Sequence, residues 1–427
     1  MDAFHYLEDG AYCEDVQVAR IAAEVGTPAY VYSRTMLTSH CVALQEAFAA
    51  YPTLACYAVK ANSNLSILRA IFGTGLGADL VSLGELRRSR AAGCPAERIV
   101  FSGVGKTTDE IAAGLDAGIL AFNVESAFEL AAIATVARQK GQSARVALRI
   151  NPDIDARTHP KIATGLYGSK FGMPEAEGVI LAEQVRADVN LELVGLACHI
   201  GSQITELAPI AAAAYRMADM CRGLMAKGHA LQHCDMGGGL GIKYLDEAPP
   251  SIAEYARTLI DAVKPTGLRL LIEPGRVLVG NTGVLVVKVL GVKHMPKKSF
   301  VVVDGAMNDL IRPSLYEAHH DIVPVVHTRR AALRADIVGP VCETGDYLGL
   351  DRDIPEPRTD DLLMVRGAGA YGMAMASQYN SRPRAVEVLV EGGQYTVVRR
   401  REQLEDLWRE SQSHPVALWS YAARENR

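Results

Sequence analysis

A lysine at position 60 sits within Tyr57-Ala58-Val59-Lys60-Ala61-Asn62-Ser63-Asn64. An aromatic and β-branched run followed by small polar residues reads as a strand end that projects one amine. Such an amine condenses with carbonyl compounds once it is partly desolvated and can shed its proton. Alone, it reads better as a lysine snorkelling to solvent. Its company changes that. Asp235-Met236-Gly237-Gly238-Gly239-Leu240-Gly241 follows another apolar run. Three consecutive glycines there expose backbone N–H groups to an anion such as phosphate, against the plainer reading of a flexible turn. Glu273-Pro274-Gly275-Arg276 ends a further run. Its carboxylate can keep a proton on a heteroaromatic nitrogen, and Gly275 can offer another N–H; the plain alternative is a turn with a surface ion pair. In His199-Ile200-Gly201-Ser202-Gln203 an imidazole could stack on a flat ring, although a lone histidine after an apolar strand is usually structural. Cys342 lies in the polar stretch Cys342-Glu343-Thr344-Gly345-Asp346, unlike the other cysteines, which read as small buried hydrophobes.

These groups need a frame. Candidate strands begin at Ala55, Ala78, Ile99, Leu120, Val146, Gly195, His233 and Leu270, with helical patterns such as Leu83–Arg90 and Ala127–Ile133 between them. Eight strands alternating with helices predict a parallel sheet, and eight is the closing number of a (β/α)8 barrel. A doubly wound open sheet is the alternative. Polar or reactive residues follow nearly every strand: Lys60, Ser82, Ser102, Asn123, Asn151, His199, Gly237 and Glu273. A barrel gathers all of these at one mouth, whereas an open sheet splits them across a crevice. The seventh strand end, where the glycines lie, is a common phosphate site in barrels. After about residue 280 helical periodicity stops, and Val284–Leu290, Phe300–Val303 and Ala385–Val390 are strand-like. The α/β chain is therefore expected to comprise a barrel over 31–279 and a β-rich domain over 280–427, joined by 1–30.

The 427 residues are 49% hydrophobic and 22% charged, with a net charge of -5, a globular composition with no basic excess for nucleic acid or anionic membranes. The acidic start Met1-Asp2-Ala3-Phe4-His5 does not read as a signal peptide, and no apolar run is long enough for a membrane span. The eight cysteines form no Cys-x-x-Cys pair, so a metal site is not expected and a reducing cytoplasm is. Two glycine signals mislead. Gly73-Thr74-Gly75-Leu76-Gly77 precedes a strand instead of following one, unlike a dinucleotide loop. Gly105-Lys106-Thr107 resembles the end of a P-loop, but Val100 stands where its first glycine belongs.

Across nearly its whole length the chain resembles the diaminopimelate decarboxylases, within the alanine-racemase-like fold type of pyridoxal-phosphate enzymes. General landmarks are Tyr57–Asn62, Ser82-Leu83-Gly84-Glu85-Leu86, Asn123-Val124-Glu125-Ser126, Arg149-Ile150-Asn151-Pro152, Thr158–Gly165, Lys170-Phe171-Gly172, His199–Gln203, Gly237–Gly239 and Glu273–Arg276. More specific are Met307–Tyr316, Cys342–Asp346 and Gly369-Ala370-Tyr371-Gly372. One departure is Ala197, where many relatives carry a histidine; the ring-stacking position is His199, which is present.

The resemblance implies roles. Lys60 carries pyridoxal 5'-phosphate as a Schiff base, His199 stacks on its ring and Glu273 holds the ring nitrogen. Asp79, Ser202, Gly237, Gly238, Gly239, Gly275, Arg276 and Tyr371 complete the cofactor site. Arg276, Arg312, Tyr316, Glu343 and Tyr371 read the substrate. Cys342 delivers a proton from the partner subunit of a homodimer with shared active sites. The implied reaction is loss of CO2 from meso-2,6-diaminopimelate to give L-lysine. A decarboxylase of ornithine, arginine or carboxynorspermidine is the nearest alternative, and the paired arginines oppose its basic substrates. An alanine racemase suits an arginine at the ring nitrogen better than Glu273. A non-catalytic homologue typically loses the lysine or the cysteine, and both remain.

Overall fold

Eight short strands close into a parallel barrel in chain order: Thr53–Ala58, Gly77–Leu80, Ile99–Phe101, Ala121–Val124, Ala144–Arg149, Leu191–Ala197, His233–Asp235 and Arg269–Ile272. The structure is a computed structural model that describes residues 3–411 except 157, 163, 166 and 167. Ala163 of the Thr158–Gly165 motif therefore lies outside the described residues. Each expected barrel strand is present, shifted by no more than a few residues. Alternate side chains point inward, because successive residues of a strand face opposite sides. Leu54, Cys56, Val100, Leu120 and Leu271, from or beside four strands, form an apolar cluster of their own, separate from the main core. They plug the barrel interior. Above the plug the lining turns polar, and the amide of Asn123, after the fourth strand begins, reaches Glu273 beyond the eighth.

Two of the motifs are helix starts. The Ser82 hydroxyl accepts the Glu85 N–H at 3.2 Å, and the Glu85 carboxylate accepts the Val81 N–H at 2.7 Å. Ser126 and Glu129 repeat the arrangement on the helix Ala127–Lys140. Such caps satisfy N–H groups that a helix leaves open and contribute about 1 kcal/mol each. The helix Arg34–Phe48 buries Leu37, Cys41, Leu44 and Phe48 along one stripe and packs on Ile252–Val263, with the Phe48 and Tyr255 rings edge to face at 6.0 Å. It takes the place of a helix after the eighth strand, where only the single turn Arg276–Val279 forms. Lys106 of the P-loop-like tripeptide is buried on Glu129 at 2.9 Å and on the Asn123 carbonyl at 2.7 Å. It is a structural cation.

The second domain is a mixed sheet built on the long strand Gly283–His294, which pairs with Ala29–Ser33, Ser299–Val303 and Leu362–Val365. Val386–Glu391 extends it beside Ala29–Ser33. The division expected at residue 31 thus falls inside a strand whose backbone bonds belong to this sheet. Phe4, Cys13, Val18 and Ile21 pack with Val31, Val284 and Val388 in one cluster, so the N-terminal segment joins the C-terminal sheet. Among the described residues no helix is long and apolar enough to cross a membrane.

Candidate active site

At the barrel mouth a cavity of about 460 Å³ is lined by residues that include Lys60, His199, Glu273, Arg276, Tyr316 and Tyr371. That volume suits a small-molecule site. The first strand ends in one 3-10 turn, Val59–Ala61, which carries Lys60 to the rim. Its Nζ lies 3.0 Å from Oδ2 of Asp79, whose side chain is wholly buried. Burial favours the neutral amine, but Asp79, then Tyr371 and Glu273, outweigh it and hold the ammonium above its ordinary range.

Behind the lysine lies a cluster of carboxyl groups. Glu273, Asp235 and Asp79 are all buried. Burial, then Asp235 and Asp79, push Glu273 well above the carboxylate range. Burial pushes Asp235 to about 6 despite the N–H that Gly237 donates to it at 2.9 Å. Lys60 and Arg149 are the cations that act on Glu273. Oδ1 of Asp79, Oδ1 of Asn123 and Oδ2 of Asp235 are buried with no hydrogen-bond partner among the described residues. Arg149 is also bonded to Glu125 at 2.9 Å, so carboxyl groups outnumber cations here and a donor presented by a ligand would be welcome.

His199 accepts the Gly238 N–H on Nδ1 at 3.2 Å, which places its own proton on Nε2. Burial, then Arg149 and Lys60, keep it neutral, well below its ordinary range. The glycines divide their duties. Gly237 gives its N–H to Asp235 and its carbonyl to the Glu273 N–H, so it shapes the turn and does not line the cavity. Gly239 and Gly275 line the cavity, and neither N–H has an acceptor among the described residues. No larger residue fits: a Cβ on Gly238 would fall 2.1 Å from the Glu273 carbonyl, and one on Gly239, at φ +111°, 2.3 Å from that of Gly201. Beside them Arg276 donates to Ser202 Oγ at 3.0 Å and to the Tyr244 hydroxyl at 2.8 Å.

Comparison with known proteins agrees with this geometry. Residues 34–280 match the family model described as pyridoxal-dependent decarboxylase, pyridoxal binding domain. The chain is 48% identical to the diaminopimelate decarboxylase of Vibrio cholerae over 96% of this chain and 98% of that one. The chain belongs to the diaminopimelate decarboxylase family. The Aquifex aeolicus member is 45% identical over 93% of this chain and 94% of its own. The crystal structure of the Helicobacter pylori enzyme complexed with L-lysine superposes with a TM-score of 0.89 at 43% identity, covering 92% of this chain and 98% of that one. A lysine/ornithine decarboxylase from Vibrio vulnificus, at 20% identity, 88% and 97% coverage and a TM-score of 0.77, shares the fold.

The cavity fits the cofactor that defines the family. An amine for a carbonyl, a buried acid for a ring nitrogen, a neutral imidazole beside them and two unspent glycine N–H groups for a phosphate all face one space. Tyr316 and Tyr371 bring the second domain to it. Arg312 is buried one layer back, its guanidinium 4.6 Å from the Tyr244 ring centre, and does not itself line the cavity. Cys342 and Glu343 are not brought together with the rest. Cys342 is exposed, its N–H held by Asn380 Oδ1 at 2.9 Å, and neither residue lines the cavity.

Four residues of this decarboxylase site carried no role in the sequence reading. Asp235 was visible only as the start of the glycine run. Arg149, 2.9 Å from Glu125 and stacked on Phe171, was visible only as the start of a landmark motif, and Tyr244 and His320 have no local signature at all. Asp235 makes a test. Its folded-state value of about 6 exceeds the ordinary 3.8. A raised acid contributes stability below the unfolded value and loses it as pH rises through the folded one. Asp235→Asn should therefore stabilise the cofactor-stripped protein at about pH 8 by on the order of 3 kcal/mol, and hardly at all near pH 4. Thermal unfolding at both pH values checks this; equal gains at both would refute the buried-charge account.

Proposed function

We propose that this protein removes CO2 from meso-2,6-diaminopimelate to form L-lysine, the last step of lysine biosynthesis, using pyridoxal 5'-phosphate. One observation carries the substrate assignment. Arg276 and Arg312 are both buried beside the cavity, and among the described residues neither forms a salt bridge with a carboxylate. Buried guanidiniums without an anion are costly, and a carboxylate is their best partner. The substrate has a second amino-acid end that does not react. When CO2 leaves the reacting carbon and a proton replaces it, that far carboxylate survives as the carboxylate of L-lysine. Ornithine and arginine have no carboxylate at the far end, so they leave the pair unanswered. The L-lysine bound in the relative's crystal is consistent with this.

Bound at the mouth, pyridoxal phosphate would supply an electron-accepting ring for the pair that stays on the reacting carbon when CO2 departs. Lys60 holds it covalently, and Asp79 orients the amine. Glu273, backed by Asp235 and Asn123, keeps a proton at the ring nitrogen. His199 would pack against the ring face, and Gly239, Gly275, Ser202, Tyr371 and the backbone of Arg276 would hold the phosphate. Tyr316 joins the arginines at the far end of the substrate, and Glu343 of the partner subunit, next to Cys342 in the chain and outside its own protomer's cavity, accepts from the substrate's ammonium.

Cys342 is the proton donor, acting across a homodimer in the cytoplasm, with residues 34–280 as the cofactor unit and the β-rich remainder as the dimer and substrate unit. Its exposed position outside the protomer's own cavity supports a shared site. The decisive assay incubates the holoenzyme with meso-diaminopimelate, ornithine and arginine in parallel and identifies products. L-lysine and CO2 from the first alone are expected; turnover of ornithine at a comparable rate would overturn the assignment. Mixing inactive Lys60→Ala with inactive Cys342→Ala should then restore about a quarter of the wild-type sites under random exchange, since half of the dimers are mixed and each carries one intact site. No recovery after verified subunit exchange would rule out sharing.

A further inference from the structure

Tyr244 lies seven residues after Gly237 on the same loop, and His320 comes from the second domain. The phenol oxygen of Tyr244 accepts from Arg276 at 2.8 Å. Its ring lies against Arg312, whose guanidinium carbon is 4.6 Å from the ring centre. One side chain therefore touches both arginines, through its edge and through its face. The His320 ring meets Tyr244 edge-on at 5.3 Å and 75°. His320 Nδ1 lies 2.8 Å from the Arg366 carbonyl, which can only accept, so Nδ1 carries the proton. Nε2 is then the acceptor for Arg312, at 2.7 Å. Burial, then Arg312, keep this imidazole neutral, well below its ordinary range.

Both guanidiniums are thus held by neutral acceptors. Carboxylates in those places would orient the arginines as well but would spend their charge. Nε of Arg276 is buried and still has no partner among the described residues. Tyr371 closes the other side of Arg276, its ring centre 4.9 Å from the guanidinium carbon.

We propose that Tyr244 and His320 are specificity-determining positioning residues: uncharged acceptors that fix Arg276 and Arg312 in register as a carboxylate-reading pair while leaving its positive charge for the ligand. The inference rests on the diaminopimelate reading and deepens it. Tyr244 touches neither the reacting carbon nor the proton to be delivered. Its loss therefore weakens recognition of the far carboxylate and spares the chemical step.

The test compares two ligands of the holoenzyme that differ by that carboxylate, L-lysine and cadaverine, as competitive inhibitors. Tyr244→Phe keeps the ring against Arg312 and deletes the acceptor of Arg276. It should weaken L-lysine inhibition about tenfold, the equivalent of one charge-assisted hydrogen bond. Cadaverine inhibition should stay within about twofold, and KM for meso-diaminopimelate should rise about tenfold with kcat nearly unchanged. His320→Gln, which retains an acceptor, should preserve the preference for L-lysine, and His320→Leu should lose it. If the wild-type holoenzyme binds cadaverine as well as L-lysine, the far-carboxylate reading itself fails. If the wild type discriminates but Tyr244→Phe weakens both ligands equally, or neither, that reading stands and the positioning role is refuted.

Discussion

Lys60→Ala should abolish turnover, by roughly 10⁴-fold or more, together with the visible absorbance of a lysine-bound cofactor. Among the described residues two lysines line the cavity, Lys60 at the first strand end and Lys161 on the loop after the fifth strand; Lys60 lies against the buried Asp79, whereas Lys161 Nζ donates to the Leu315 carbonyl at 2.9 Å. The substitution has a second cost. Asp79 is wholly buried, and its Oδ2 bonds Lys60 while its Oδ1 has no partner among the described residues. Removing one member of a buried pair costs ~3–5 kcal/mol, an upper figure here because the Lys60 side chain is 40% exposed within the cavity. Lys60→Arg separates the two effects. A guanidinium keeps the charge beside Asp79 but stays protonated and cannot condense with a carbonyl. It should unfold near the wild-type temperature and remain inactive. A reducible protein–cofactor bond persisting in Lys60→Ala would move the attachment to another lysine and end the assignment.

Glu273→Ala should lower kcat by roughly 10²-fold or more while the cofactor stays attached to Lys60. The carboxyl sits where burial and two carboxyl neighbours favour its protonated form, so its proton is available to a ring nitrogen. Deletion leaves the Asn123 amide without the acceptor it has at 3.2 Å, at a cost of ~1–3 kcal/mol. It also removes one acid from a crowded group, which offsets that cost. Glu273→Gln controls for packing, since it retains an acceptor for Asn123 but cannot ionise. Both variants should bind cofactor, measured by absorbance after gel filtration, and both should turn over slowly. Near-normal turnover of Glu273→Gln would show that another group serves the ring nitrogen, with Asp235 the first to examine.

These two residues were legible before any fold was known because their signals are local. Lys60 and Glu273 end strands whose apolar, β-branched composition stands out within a few residues, and Glu273 is followed at once by Pro274 and Gly275. The alternation of strands with helical stripes was equally local; the count of eight allowed closure, and the polar residues after nearly every strand favoured it over an open sheet. The β-rich character of the last third showed in the same way.

What local pattern could not show was convergence. Asn123 meets Glu273 across the barrel, 150 residues away in the chain. Tyr244 meets His320 from the other domain. Neither pair has a spacing to recognise, because a closed barrel brings strand ends together through hydrogen-bonded strand order and not through sequence distance. The glycine run illustrates the division. Its composition announced an anion cradle, but only packing decided that Gly237 spends its N–H on Asp235 while Gly239 faces the cavity. Residue types determined which chemistry this chain carries: an amine, an acid, an imidazole, a pair of guanidiniums and a thiol. The tertiary structure decided which of them share one space, because burial and the neighbours it imposes set the charge state of each.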